Sequence, residues 1–166
     1  MPAALHELLR PLLARAPHHS DADFLARLYA STRMDLHSAT ADPAFVAQLV
    51  AMHQRMQAAD YRARFPEAAW LVLEQAGAPC GRIVVDTGPT ALRLVDIALL
   101  PQARGHGLGR HIVRALQAHA AGLGLPLTLA VQHTNPRARR LYLALGFRTH
   151  GTNGDSEQMM WNNVPN

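Results

Sequence analysis

The residues best suited to chemistry lie in one stretch, Val95-Asp96-Ile97-Ala98-Leu99-Leu100-Pro101-Gln102-Ala103-Arg104-Gly105-His106-Gly107-Leu108-Gly109-Arg110. An apolar strand pattern runs into a glycine-rich turn, which opens an amphipathic helix pattern. Glycines at 105, 107 and 109 let backbone N–H groups converge without side-chain obstruction. A helix start adds unpaired donors and the positive end of its dipole. Such a nest suits a pyrophosphate, and Arg104 and Arg110 can add positive charge. A plain connecting turn explains the glycine spacing equally well. A dinucleotide fingerprint does not fit. Counted from Gly105, the last position of G-x-G-x-x-G is Arg110; counted from Gly107, it is Ile112. No acidic residue follows about twenty residues later, where a ribose would need one.

The surrounding elements must position this turn. Leu5, Leu8, Leu9, Leu12 and Leu13 fit a helix that Pro11 interrupts, and a short strand over 10–13 is the competing reading. Asp21 or Asp23 can cap a helix carrying Phe24, Leu25, Leu28 and Tyr29. Asp42-Pro43 is a strong helix start. Phe45, Val46, Leu49, Met52, His53 and Met56 follow it at helical spacing. After Pro66 the period changes. Residues 69–75, 80–86 and 92–100 read as strands separated by Gly-containing turns. A helix over 107–122, a buried strand over 127–131 and a helix from Asn135-Pro136 through Leu145 follow, with Gly146 as its stop. Two short strands near 147–149 and 158–161 close the pattern. The strand–helix–strand passage from 92 to 131 requires one parallel pair in an otherwise antiparallel sheet.

With these elements in place, the chain resembles the GNAT superfamily of N-acetyltransferases. Arg104, Gly107 and Gly109 match its R/Q-x-x-G-x-G/A acetyl-CoA signature. The preceding Asp96-Ile97-Ala98-Leu99-Leu100-Pro101 looks like the family's fourth strand. Asn135-Pro136, Leu141-Tyr142 and Leu145-Gly146-Phe147 look like its later N…lY…lGF segment. The likeness covers roughly residues 69–161, and the helices from 21 to 60 fit the family's variable region. It implies an α/β (α+β) fold: a mixed, mostly antiparallel sheet of about six or seven strands with a parallel, splayed central pair, flanked by helices. Residues 1–166 would form a single acetyltransferase domain.

The resemblance also implies roles. The pantetheine arm of acetyl-CoA would enter between the splayed strands and pair with backbone of Ile97, Leu99 and Leu100. The Leu99 N–H would polarise the thioester carbonyl. Residues Arg104, Gly105, His106, Gly107, Leu108, Gly109 and Arg110 would hold the pyrophosphate. Asn135 would touch the cofactor arm, and would also cap its helix. Tyr142 would protonate the departing thiolate, although a tyrosine packing helix on sheet has the same pattern. Some family members place a glutamate base on the fourth strand. None stands there, so Asp96, or less directly His133, is the candidate base for a protonated amine. Tyr29 and Arg33, at the end of the first long helix, would face the acceptor, with Arg33 suited to a carboxylate.

Composition narrows the classes. The chain has 166 residues, 49% of them hydrophobic, a net charge of +4 and a single cysteine. All 16 basic residues are arginine. Without lysine there is no Walker-type phosphate loop, Schiff base or pyridoxal-phosphate anchor. Cys80 has no obvious base and reads as a small buried thiol. His18-His19 is too small a set for a metal, and direct transfer needs none. No apolar run approaches the ~20 residues of a membrane helix, and the N-terminus lacks a signal layout. A cytoplasmic location, with no membrane partner, is therefore expected. The arginines are dispersed without a stacking platform, which argues against nucleic acid. The expected reaction is acetyl transfer from acetyl-CoA to a primary amine of a small molecule or peptide. A non-catalytic acyl-CoA-binding module or sensor is the alternative. An exposed edge strand would permit a homodimer.

Overall fold

Apolar residues at every second position build the sheet, and those at every third or fourth build the helices that cover it. The computed structural model describes residues 3–33 and 42–163. Its elements, in order, are α1 (Ala3–Leu8), β1 (Leu13–Arg15), α2 (Ala22–Ala30), α3 (Pro43–Arg64), β2 (Ala69–Gln75), β3 (Ala78–Thr87) and β4 (Leu92–Leu99). These are followed by α4 (Leu108–Leu123), β5 (Leu127–Gln132), α5 (Pro136–Ala144), β6 (Arg148–Asn153) and β7 (Ser156–Trp161). The seven strands form one sheet in the order β1-β2-β3-β4-β5-β7-β6. Only β4 and β5 run parallel; every other neighbouring pair is antiparallel. The fold is the expected mixed, mostly antiparallel sheet flanked by helices.

One face of the sheet carries the main core. Leu71, Leu73, Ile83, Val85, Leu92, Leu94, Leu127 and Leu129 pack there against Leu5 and Leu9 of the N-terminal segment and Ile112, Val113 and Leu116 of α4. Each such fully buried aliphatic contributes about 1.5–3 kcal/mol. The opposite face is thinner: Val72 packs on Phe24 and Leu28 of α2, and α2 in turn meets α3 through Tyr29, Val46 and Val50.

Some expectations needed correction. The strand in the first segment is Leu13–Arg15, C-terminal to Pro11. Asp21 does not cap α2. Its carboxylate instead accepts from Arg15 Nη1 and Nη2, at 2.7 and 2.8 Å, and from the His18 N–H at 2.6 Å. Asp42 does cap α3, accepting from the Ala44 N–H at 2.9 Å. Yet α3 buries Val46 and Val50, while Phe45, Met52 and Met56 are exposed. The helix meets α2 through Val46 and Val50 and the sheet through Gln57 and Tyr61, which reach Arg82 and Trp70, so Phe45, Met52 and Met56 lie outside the faces it buries among the described residues.

The site depends on two features of β4. The β3–β4 register shifts between Val84 and Val85, so that Asp96 faces Val84 and Leu94 faces Val85. Val95 is thus an extra residue, a bulge. Second, β4 pairs with β5 only over Leu92–Leu94. Beyond Leu94 the two strands part. Backbone groups alternate sides along a strand. The Leu100 N–H donates to Cys80 O on the β3 side at 2.9 Å. The amides of Ile97 and Leu99 therefore face the gap.

Gly81 holds β3 tight against this segment. A Cβ there would lie 2.6 Å from Leu99 Cδ2 and 2.7 Å from the Ala98 carbonyl oxygen. Gly81→Ala is expected to push β4 away and cost about 1–3 kcal/mol. Thermal unfolding would register this as a lower Tm, and the weakening of acetyl-CoA binding should exceed that of a surface alanine control.

Candidate active site

The chain leaves β4 through a single turn of 3-10 helix over Pro101–Ala103. It then bends at Gly105 and Gly107, with φ of 85° and 81°. Only glycine adopts such values freely, so the two glycines are required for the turn. Gly107 is the N-cap of α4, whose first N–H groups have no intrahelical acceptor. His106 and Arg110 are exposed beside the turn. Arg137, from the first turn of α5, also reaches it: its Nη2 lies 3.9 Å from where a Gly105 Cβ would sit.

Arg104 turns elsewhere. Its Nε donates to the Leu99 carbonyl at 2.8 Å, and its Nη2 donates to Ser31 Oγ at 3.0 Å and Ser31 O at 3.3 Å. The side chain ties the end of β4 to the end of α2. Leu100, with its N–H committed to β3, does not present its amide to the gap. The Ile97 and Leu99 amides do.

Where β4 and β5 part, a cavity of about 910 Å³ opens, a size typical of small-molecule sites. Val95, Asp96, Ile97 and Ala98 line one side, and Ala130, Val131 and Gln132 the other. Asn135, Ala138 and Tyr142 of the α5 segment also line it, as do Tyr29, Thr32, Arg33, Gln57, Tyr61 and Arg64 from α2, α3 and the residues after α2. Asn135 also caps α5, accepting from the Ala138 N–H at 3.1 Å. His133 is exposed and outside this lining.

Tyr142 is 5% exposed, and its ring packs 5.7 Å from that of Phe147. Burial, reinforced by the negative charge of Asp96, pushes its hydroxyl pKa up to about 12. The group is held protonated at neutral pH.

Asp96 belongs to a buried network. Its Oδ2 accepts from Arg82 Nη2 at 2.6 Å and Nε at 3.2 Å. Arg82 Nη2 also reaches Gln57 Oε1 at 3.4 Å, and the guanidinium lies 5.5 Å from the Trp70 ring centre. Asp96→Ala would strand the Arg82 charge. An uncompensated buried charge costs about 3–5 kcal/mol, which corresponds to a Tm loss of roughly 6–20 °C for a domain this size. Calorimetry of the variant checks this, and Asp96→Asn, which keeps an acceptor for Arg82, should lose less.

Two further arginines, Arg33 and Arg93, line the cavity. Arg33 Nη1 contacts Tyr29 Oη and His53 Nδ1, both at 3.4 Å. Arg93 Nη2 donates to Gln158 Oε1 at 3.1 Å. Arg82, Gln57, Arg93 and Arg137 were not singled out from the sequence. One signal was there for Arg82: an arginine inside the apolar run Gly81-Arg82-Ile83-Val84-Val85 must find a carboxylate. Among the described residues, no group of three His, Cys, Asp or Glu side chains could hold a metal. No described helix is long and apolar enough to cross a membrane.

Residues 33–147 match the model of the acetyltransferase (GNAT) family. The chain belongs to that family, and with membership comes acetyl-CoA as cosubstrate. Solved structures agree in fold. A PaiA N-acetyltransferase from Thermoplasma acidophilum, in complex with coenzyme A, is 13% identical with a TM-score of 0.67, covering 91% of this chain and 98% of its own. An acetyltransferase from Thermus thermophilus is 22% identical with a TM-score of 0.62, covering 90% and 94% respectively. The spermidine/spermine N-acetyltransferase SpeG from Vibrio cholerae is 21% identical with a TM-score of 0.57, covering 90% and 93%. No curated protein sequence matches the chain.

Proposed function

We propose that this protein transfers the acetyl group of acetyl-CoA directly to a primary amine of a small molecule or peptide. The observation that carries the reading is the opening between β4 and β5 beyond Leu94 and Leu129, with a glycine turn and helix start at its end and a buried tyrosine beside it.

Acetyl-CoA supplies an acetyl thioester; transfer forms an N–C bond, breaks the C–S bond and leaves a thiolate that needs one proton. The residues of the chain divide this work. The free N–H groups after Gly105 and at the start of α4 accept an anionic diphosphate, assisted by Arg110 and Arg137. The Ile97 and Leu99 amides, left without a β5 partner, hold the arm and the thioester oxygen. Arg104 fixes the Leu99 carbonyl and so the direction of its peptide plane. Tyr142 donates the proton to the thiolate, and its phenolate is reprotonated by the second proton that the nitrogen sheds as the amide forms. Asp96 receives the proton of the acceptor ammonium: Oδ2 takes both bonds from Arg82, and Oδ1 has no protein partner among the described residues. Tyr29 and Arg33 border the acceptor. A reducing, cytoplasmic setting suits the buried thiol of Cys80.

Calorimetric titration with acetyl-CoA, CoA and NADH tests the donor site, and release of CoA thiol across an amine library tests transfer. Saturable binding of acetyl-CoA but not NADH, with amine-dependent thiol release, supports the reading. Binding without release for any amine would leave an acyl-CoA-binding module. No binding by folded protein would overturn the site altogether.

A further inference from the structure

Resting on that acetyl-transfer reading, we infer that the acceptor carries a carboxylate as well as its amine, and that Arg93, on the stretch of β4 still paired with β5, and Arg64 bind the carboxylate. The charged lining of the cavity is Asp96 against Arg33, Arg64, Arg82 and Arg93. Asp96 is matched by Arg82. Arg33 has its contacts to Tyr29 and His53 and is set aside. Two guanidinium groups are left, Arg64 and Arg93, which lie 5.5 and 5.6 Å from the centre of the same Phe65 ring and are near enough for the charge of Arg64 to act on Arg93.

Neither group is fully answered by the protein. Arg64 reaches Asp60 at 3.3 Å, but both side chains are half exposed, and such pairs hold little. Arg93 has no ion pair among the described residues. Its hydrogen-bond acceptor is the neutral Gln158 amide. Its Nε is buried with no hydrogen-bond partner. Burial, then the neighbouring charge of Arg64, lowers its pKa, with only Asp86 opposing. A buried donor without an acceptor is costly. A planar carboxylate, which takes two parallel N–H bonds from one guanidinium, supplies what is missing.

The charged groups of the cavity are then complementary to a zwitterion. Asp96 offers an oxygen to an ammonium near Tyr142, and Arg64 with Arg93 offers donors to an anion. A diamine would set its second cation against two arginines. The acceptor class is therefore an amino acid or another amine bearing a carboxylate, rather than a polyamine.

The test compares glycine, γ-aminobutyrate and glutamate with butylamine and putrescine, using the full chain saturated with acetyl-CoA. At least one carboxylate-bearing amine should exceed both butylamine and putrescine in kcat/KM by about tenfold or more, the worth of one good charged contact. Arg93→Gln should raise KM for that amine by a similar factor and for butylamine by much less, since butylamine has no carboxylate contact to lose. Arg64→Gln, at the exposed rim, repeats the test in a variant that keeps the buried contacts. Putrescine or butylamine matching every carboxylate-bearing amine, or both variants leaving KM unchanged, overturns the inference. Where turnover is absent, titration of the same amines into the CoA complex carries the comparison, and no preference for carboxylate is again fatal. Acetyl-CoA binding is measured separately. Intact binding without carboxylate preference defeats this inference alone, whereas absent binding defeats the transfer reading with it.

Discussion

Tyr142→Phe is expected to lower kcat by about a hundred- to a thousandfold, within the usual range for loss of a general acid. The ring contact with Phe147 survives the substitution, and the hydroxyl has no hydrogen-bond partner among the described residues. Stability and acetyl-CoA affinity should therefore stay close to the parent, and the loss should fall on kcat rather than KM. The pH profile gives a second check. The folded-state pKa of about 12 lies above the ordinary tyrosine value, so the acid form persists across neutral and mildly alkaline pH. Deprotonation of Tyr142 should not cut activity until pH approaches that value. A limb falling near pH 10 that disappears in Tyr142→Phe would contradict the assignment. The same sign governs stability: the raised pKa favours the fold below about pH 10, and that contribution disappears as pH rises through the folded value. Stopped-flow thiol release and thermal melts across pH measure both.

Gly107→Glu is expected to abolish acetyl-CoA binding while leaving a folded protein. A Cβ at Gly107 meets nothing within 4 Å, but φ is +81°, and a side chain there costs about 1–2 kcal/mol. A carboxylate at a helix start is itself favourable to the helix. The damage falls on the ligand. A negative charge about 4 Å from a phosphate costs roughly 4 kcal/mol near a protein surface, close to a thousandfold in Kd. Gly107→Ala separates the two effects, since it carries the strain without the charge. It should lose a few degrees of Tm and much less affinity. Titration calorimetry with both variants decides whether this turn is an anion site or a connection.

Much of the fold was legible because its signals are local. The 69–75 strand was read to the residue because β-branched and apolar positions there are bounded by turns. The caps at Asp42 and Asn135 and the helix stop at Gly146 were read from residue type and the pattern beside it. The buried face of α3 was not legible for the opposite reason. Helical spacing identifies an apolar stripe, but which part of it is covered depends on where α2 lies. Asp21 looked like a cap for the same kind of reason; Arg15, six residues upstream, took its carboxylate instead.

By itself, the sequence determined the glycine turn, the strand entering it, the helix that carries Tyr142 and the family, all carried by residues close together in the chain or in a known spacing. Only the tertiary structure decided what surrounds them. It parted β4 from β5, with an extra residue at Val95, and so exposed the Ile97 and Leu99 amides. It turned Arg104 away from the glycine turn onto Leu99 and Ser31, paired Asp96 with Arg82 across a hairpin, and brought Arg64 and Arg93 to one phenylalanine ring from segments 29 residues apart. The physical reason is common to all four. Charges and backbone amides acquire their partners through space, and no local propensity specifies which distant group arrives.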